Sequence, residues 1–448
     1  MTLTGLSLAY LKDRALNTAL NILLLTLSVA TLVILVLFSS QLTERFTRDA
    51  AGIDLVVGAK GSPLQLILAS IYQVDVPTGN IPGETLAQLR GDPTVAQVIP
   101  LAQGDSFRGF RIIGTETAYV DHYGGVVAEG RMFDAPYEAV LGAQAARQLG
   151  AGLGQKFIGA HGLAGDGHEH EETPFEVVGV LAPTGTVLDR LIVTPVESVW
   201  GAHGIPIPGE DHGHEDHGHE NHAHGEDAHD AHDDHAQGDH DHEDADPNHQ
   251  DAAEAPEDAS HAAHGGSPDV TALLVKYRSA MAAVRLPRMI NDQAGLQAAV
   301  PAVEMTRLLA LLGVGLDAVR AFAVLLMATS GLSIFVALYS ALRQREGDMA
   351  MLRVMGARPA AIFGHIVLEG VLLAAAGALL GVIVGHAVVG AAAASFQQLS
   401  DMGLSPWRFE PAELWIALSA MAMGALAALI PALKVFRVDI ADTLAHTR

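Results

Sequence analysis

Ala15–Thr43 reads ALNTALNILLLTLSVATLVILVLFSSQLT, with no charged side chain between its ends. A helix needs about 20 apolar residues to cross about 30 Å of hydrocarbon, and this run exceeds that length. A secretory signal would carry a shorter apolar centre of roughly 7–15 residues and a small-x-small cleavage site, which does not follow convincingly here. The run therefore reads as a retained membrane anchor. A long, mostly polar stretch separates it from three further apolar runs, at about Ala321–Leu342, Val371–Ala394 and Leu414–Leu433. One span, a large insertion and then three spans is an uncommon layout, and it limits function more than any single residue does.

Basic residues set the orientation. Lys12 and Arg14 precede the first span, Arg343, Arg345, Arg353 and Arg358 lie between the second and third, and Lys434, Arg437 and Arg448 follow the fourth. Short basic segments stay on the cytoplasmic side. Both termini are thus expected in the cytoplasm of a bacterial inner membrane, with the insertion and the Ser395–Pro411 connection facing outward.

Half of the residues are hydrophobic and 17% are charged, yet the net charge is −25. That acidity is local: Glu210–Asp258 holds 19 Asp or Glu and no Lys or Arg. There is no cysteine, which excludes disulfides, thiolate metal sites and cysteine catalysis. The pattern predicts a membrane protein with four transmembrane helices and a large α+β periplasmic domain between helices 1 and 2. Strands are expected at Asp54–Val57, Val95–Pro100, Phe107–Ile113, Phe175–Leu181, Leu191–Thr194 and Val270–Tyr277. Helices are expected at Pro63–Ile71, Gly83–Gly91, Ala139–Gly150, Met281–Asp292 and Ala302–Leu312. This mixed order suits an α+β domain better than a doubly wound one.

The second strong signal is histidine. Of 22 histidines, 18 lie between His161 and His264, interleaved with carboxylates. His212, His214, His217, His219, His222, His224, His229, His232, His235, His240 and His242 are the candidate metal ligands. Imidazole suits Zn, Cu or Ni, and His-rich tracts commonly bind metals. Few apolar residues other than Ala occur there, so the stretch is expected to be a solvated, disordered loop. Metal binding to it would be weak per site, as in a sensor or buffer. The alternative is an acidic spacer.

The cytoplasmic loop carries the best short motif. Asp348-Met-Ala-Met-Leu-Arg-Val-Met-Gly-Ala357 resembles the [Glu/Asp]-Ile-Ala-x-Leu-Arg-x-x-Gly-Ala signature of MacB/FtsX/Lol-type ABC transporter permeases, with Gly347 standing where that family usually has Arg and Met349 replacing Ile. Ala139-Val-Leu-Gly142 with Ala145–Gly150 and Gly154, and Phe175–Thr186, resemble parts of a MacB-like periplasmic core. Gly58–Leu66 is similar to text in single-permease members. The resemblance spans the chain except for the His-rich insert.

The resemblance implies that Arg345, Glu346, Asp348, Met349, Leu352, Arg353, Gly356 and Ala357 dock on a separate ABC ATPase subunit, which would bind ATP and Mg. Met349, Leu352 and Met355 fall at helical spacing, Gly356 suits a helix stop, and Pro359 follows. An ordinary basic loop fixing topology is the plainer reading. No Gly-x-x-x-x-Gly-Lys-[Ser/Thr] loop is present, and Gly58–Ser62 reads as a turn. Asp121-His122 and Glu171-Glu172 are weak acid/base candidates, because no His-Glu-x-x-His motif accompanies them, and His122 is expected on a surface loop. Glu369 and His386 are the notable ionisable groups of the third span; such residues often mark pathways or helix contacts, and the plainer alternative is that either snorkels to an interface. Gly377, Gly381 and Gly385 form a small-residue ridge suited to close helix packing, a dimer contact included.

The expected organisation is an N-terminal segment and first helix at 1–43, a MacB-like core at 44–202, the His/Asp-rich insert at 203–267, the rest of the outer domain at 268–316 and an FtsX-like permease domain at 317–448. The chain is then a permease without enzymatic activity or intrinsic cofactor, with Zn (or Cu or Ni) on the loop. Its expected partners are an ATPase, a second permease copy (a heterodimer being the alternative), membrane lipid and a periplasmic or outer-membrane protein, with no nucleic acid. The rival function is a metal-responsive periplasmic scaffold or zinc-capturing membrane protein that works without ATP-driven transport.

Overall fold

The computed structural model describes residues 15–161, 174–203, 205, 268–344, 347, 351, 353–396 and 404–434. Four of its helices are long and apolar enough to cross a membrane: α1 (Ala15–Asp49), and, at the far end of the chain, Pro301–Gln344, Pro359–Ser395 and Pro411–Lys434. The two that adjoin the outer domain, like Pro359–Ser395 with its 37 residues, greatly outrun a bilayer. At about 1.5 Å per residue, the 35 residues of α1 span about 52 Å and the 44 residues of Pro301–Gln344 about 66 Å. Each therefore extends beyond the hydrocarbon as a rod.

The outer domain is built on an 11-stranded mixed sheet in the order β11-β1-β10-β2-β3-β9-β5-β8-β4, with β6 beside β8 and β7 beside β2. In chain order the elements are β1 (Leu55–Ala59), α2 (Pro63–Ser70), α3 (Glu84–Arg90), β2 (Val95–Phe107), β3 (Phe110–Thr115), α4 (Thr117–His122), β4 (Val127–Gly130), β5 (Glu138–Leu141), α5 (Ala143–Leu149), β6 (Lys156–Phe157), β7 (Ala160–His161), β8 (Phe175–Leu181), a 3-10 turn (Val187–Arg190), β9 (Ile192–Pro195) and α6 (Val196–Ala202). Beyond the insert come β10 (Ala272–Tyr277), α7 (Ala280–Asn291), β11 (Leu296–Ala299), α8 (Pro301–Gln344), α9 (Pro359–Ser395) and α10 (Pro411–Lys434).

Strand period explains the continuous apolar runs. Successive side chains point to opposite faces, so Val56, Ile99, Leu101, Ala272 and Leu274 join one core. Leu55, Val57, Val98, Leu273 and Val275 join a second core on the other face. The register pairs Val56 with Leu274 and Leu55 with Val275, matching like with like across the ladder. α7 covers the second core with Ala282, Leu286 and Ile290, one helical turn apart.

The expected helix over Ala139–Gly150 is corrected. Glu138–Leu141 is a strand, parallel to β8 and antiparallel to β9, and only Ala143–Leu149 is helical. The change falls at Gly142, where an added Cβ would stand 2.2 Å from the Leu188 carbonyl oxygen. Gly150, at φ +60, then ends α5. At the start of β5, the Arg131 guanidinium holds the Glu138 carboxyl down at about 2. β4, β6, β7 and β11 have at most four residues each, which gives periodicity little to show.

Candidate coupling and transmission site

At the cytoplasmic end, Arg345, Glu346, Asp348, Met349 and Leu352 lie outside the described residues. Of their neighbours, Met351, Val354 and Met355 are 61%, 64% and 71% exposed, although all three are apolar. Their i, i+3, i+4 spacing puts them on one face of a helical turn. Arg353 is half-buried, and Gly356 closes the turn at φ +98. Arg358 caps α9, with Pro359 in its first turn. Ala357 packs with Leu342, Ile362, Ile366 and Ala432, so the turn stands on the ends of α8, α9 and α10 together.

Within the bundle, the glycine ridge of α9 meets α1 of the same chain. A Cβ added at Gly377, Gly381 or Gly385 would stand 3.0, 2.5 or 2.8 Å from side-chain atoms of Leu25, Val29 or Val33. Thr26 Oγ1 also donates to the Gly377 carbonyl at 3.3 Å. On its other side α9 crosses α10 where Gly370 faces Gly424. Small residues let the backbones approach closely on both sides of α9.

At the outer end, the loop between α9 and α10 clasps α1. Gln41 donates to the Ser405 carbonyl at 3.2 Å and accepts from the Ser405 amide at 2.8 Å. Ser40 donates to Glu410 at 3.1 Å, and Arg408 pairs with Glu44 at 2.5 Å. Beneath them, His386 does not snorkel: its Nδ1 lies 2.6 Å from the Pro406 carbonyl and its Nε2 2.9 Å from Glu413. A carbonyl only accepts, so Nδ1 is the donor to Pro406. Glu413 is 1% exposed and also accepts from the Glu410 amide. That capping contact was legible in Glu410-Pro-Ala-Glu413; the His386 partner was not. Glu369 is likewise buried within α9.

The last turn of α1 is bolted into the outer domain. Asp49 Oδ1 accepts from the Val187 amide at 3.1 Å, and the Asp49 carbonyl accepts from Tyr123 Oη at 3.1 Å. Tyr72 Oη donates to the Phe46 carbonyl at 2.9 Å, and Arg48 to the Gly185 carbonyl at 3.1 Å. Burial, and with it the nearby Asp49 charge, pushes the Tyr72 phenol well above its ordinary range. Residues 182–190, which the sequence marks only as a Pro-Thr-Gly-Thr turn, are thus the socket for α1. His122 is not on a surface loop: it ends α4, half-buried, with its ring against Gly52. Burial lowers its pKa. Gly58–Ser62 is a strand-to-helix turn in which Ser62 caps α2. His212, His214, His217, His219, His222, His224, His229, His232, His235, His240 and His242 lie outside the described residues, as do Glu171 and Glu172. Among the described residues no group of three or more His, Asp or Glu gathers at metal-holding distance.

These features define a multi-pass membrane protein whose outer domain is carried on two long helical rods and whose cytoplasmic loop presents an apolar turn. The family comparison gives the rest: residues 18–213 match the MacB-like periplasmic core domain and residues 320–440 the FtsX-like permease C-terminal domain. The chain belongs to the MacB/FtsX-type ABC permeases, in which ATP hydrolysis resides on a separate subunit. Among solved structures, it is similar to the periplasmic region of MacB from Actinobacillus actinomycetemcomitans, at 12% identity and TM-score 0.32, over 59% of this chain and 97% of that one. It is also similar to the extracellular domain of the noncanonic ABC-type transporter YknZ from Gram-positive bacteria, at 14% identity and TM-score 0.28, over 55% of this chain and 98% of that one. The comparison with curated proteins finds no match.

Proposed function

We propose that this permease converts ATP hydrolysis by its partner ATPase into movement of the outer domain, a mechanotransmission cycle that needs no substrate tunnel through the bundle. The observation that carries this is α1: one unbroken helix packs on the glycine ridge of α9 and ends in hydrogen bonds to the 182–190 socket. The apolar turn at Met351, Val354 and Met355, with Met349 and Leu352 beside it in sequence, docks on the ATPase. Two permease copies and two ATPase subunits form the simplest complete assembly. The cargo is engaged on the outer side and belongs to the lipoprotein, peptide, small-compound or metal-complex classes.

The His-rich insert adds metal responsiveness. Bound Zn, Cu or Ni would neutralise the carboxylates of Glu210–Asp258 and contract a self-repelling coil. The test is ATP turnover by the permease–ATPase complex in lipid during a zinc titration, with the intact chain and a chain lacking 206–264. Turnover that depends on Met355 and changes with zinc only in the intact chain is expected. Turnover unaffected by Met355→Asp would sink the docking assignment, and equal zinc responses in the two chains would sink the metal assignment. A scaffold would instead keep its envelope effect when the ATPase is inactivated.

A further inference from the structure

The outer loop that clasps α1 turns its polar groups inward and its aromatic rings outward. Trp407, Phe409 and Trp415 are 92%, 69% and 72% exposed, although all three are large and apolar. The segment that carries them is held in place. Pro406 sits over Gly390 of α9, where an added Cβ would stand 3.2 Å from it, and its carbonyl faces His386. Arg408 is paired with Glu44 and Glu410, and one face of Phe409 stacks on the His386 ring at 5.4 Å. Trp415 lies two residues beyond the buried Glu413, near the start of α10.

Helix length fixes the depth of these rings. From Trp415 to Lys434, the last residue of α10, the chain rises about 29 Å at 1.5 Å per residue. A bilayer's hydrocarbon is about 30 Å thick. At the inner limit, Lys434 Nζ lies 4.8 Å from the Tyr339 ring, an aromatic and basic pairing suited to an interface. Trp415 then stands at the outer limit, with Leu418, Leu426 and Ile430 continuing its exposed face down the helix. α1 gives the same level independently: its uninterrupted apolar run gives way to Ser39-Ser40-Gln41, and Ser40 and Gln41 bond the loop.

We infer that the rings of Trp407, Phe409 and Trp415 sit in the headgroup layer of the outer leaflet, so that lipid is the partner of the α9–α10 loop and fixes the depth of its clasp on α1. The spans alone put this loop on the outer side and leave open whether it lies in water. Indole has an apolar body and a polar N–H, which suits a layer that is apolar on one side and wet on the other. With Gln41 at that level, the helix from Gln41 to Asp49 lifts the 182–190 socket about 12 Å above the lipid clasp.

The test uses the full chain in nanodiscs of phosphatidylcholine brominated either high or low on its acyl chains, bromine being a contact quencher of indole fluorescence. The chain has three tryptophans, so Trp407→Phe, Trp415→Phe and the double variant separate their signals. Trp200, bonded to the Asp269 carbonyl of the outer domain, serves as the reference. Phe keeps an aromatic ring at two exposed positions, which protects the fold. Trp407 and Trp415 should lose more emission to the high bromine than to the low one, and Trp200 should lose none to either. Trp407 emission that neither lipid quenches overturns the proposal: a red, water-like spectrum puts the loop in water, and a blue one puts a second permease copy or another protein over it. Stronger quenching by the low bromine places the rings inside the hydrocarbon and overturns the headgroup assignment as well. ATP turnover enters none of these readouts, so they stand apart from the proposed coupling.

Discussion

The two rods that carry the outer domain, α1 and α8, are unlike in surroundings. α1 is enclosed along one face, where Leu25, Val29, Val33 and Leu37 are fully buried and seated on glycines, and its tip is bonded to the domain, although Leu16, Leu20, Leu23 and Leu27 stay exposed on its other side. α8 leaves Val319, Phe322, Val324, Leu325, Leu332 and Val336 exposed along its length. Both are apolar enough to span a bilayer, so hydropathy alone would have treated them as equals. The difference teaches that α1 is the more tightly seated of the two, which under the proposed function makes it the helix that carries force to the domain, whereas α8 keeps more of its apolar surface open.

The sharpest way to break this contrast is Gly381→Leu. A side chain there would drive into Val29, whose Cβ would stand only 2.5 Å from the first added carbon. Overpacking of this kind costs about 1–3 kcal/mol. Thermal melting of the purified permease should fall, and ATP-coupled function should be lost with it; a silent substitution would mean that the α1–α9 seam transmits nothing. Next in size is Tyr123→Phe, which removes one hydroxyl from the socket without changing shape. Its lost hydrogen bond is worth about 1 kcal/mol, and the outcome to look for is ATP hydrolysis that persists while outer-domain movement, read by paired spin labels, declines.

Acid provides a milder probe of the same joint. His122 packs beside the end of α1, and burial holds its pKa below the ordinary 6.5. The fold favours the neutral ring, so this contribution is complete above pH 6.5 and is lost as pH falls through the lower folded value. Melting temperature should therefore decline from pH 7 to pH 5, and His122→Asn should flatten that slope; an unchanged slope assigns the acid sensitivity elsewhere. The smallest stability effect belongs to α8. Leu325→Ala, at an exposed position, should shift stability by no more than about 0.5 kcal/mol. A large loss of stability in a monomeric preparation would erase the distinction between the rods.

Several features were legible in the chain because local chemistry decides them. The four spans follow from run length, the sidedness from Arg and Lys, and the α9 helix start from Arg358-Pro359. Gly377, Gly381 and Gly385 announce close packing, but a ridge does not name its partner. The Ala139–Gly150 stretch shows the same limit: its residues favour a helix locally, and strands β8 and β9 claim its first positions. Tertiary pairing outweighs propensity where a sheet edge offers hydrogen bonds on both sides.

What the sequence by itself determined is the membrane plan, the family and the chemistry available in the His-rich insert, since length, charge sidedness and composition act residue by residue. Only the tertiary structure decided which helix seats on the glycine ridge, that residues 182–190 receive its end and that Asp105 meets His203 nearly a hundred positions away. Those are contacts between distant segments, set by backbone approach and burial, and no local pattern encodes which of many compatible surfaces will meet.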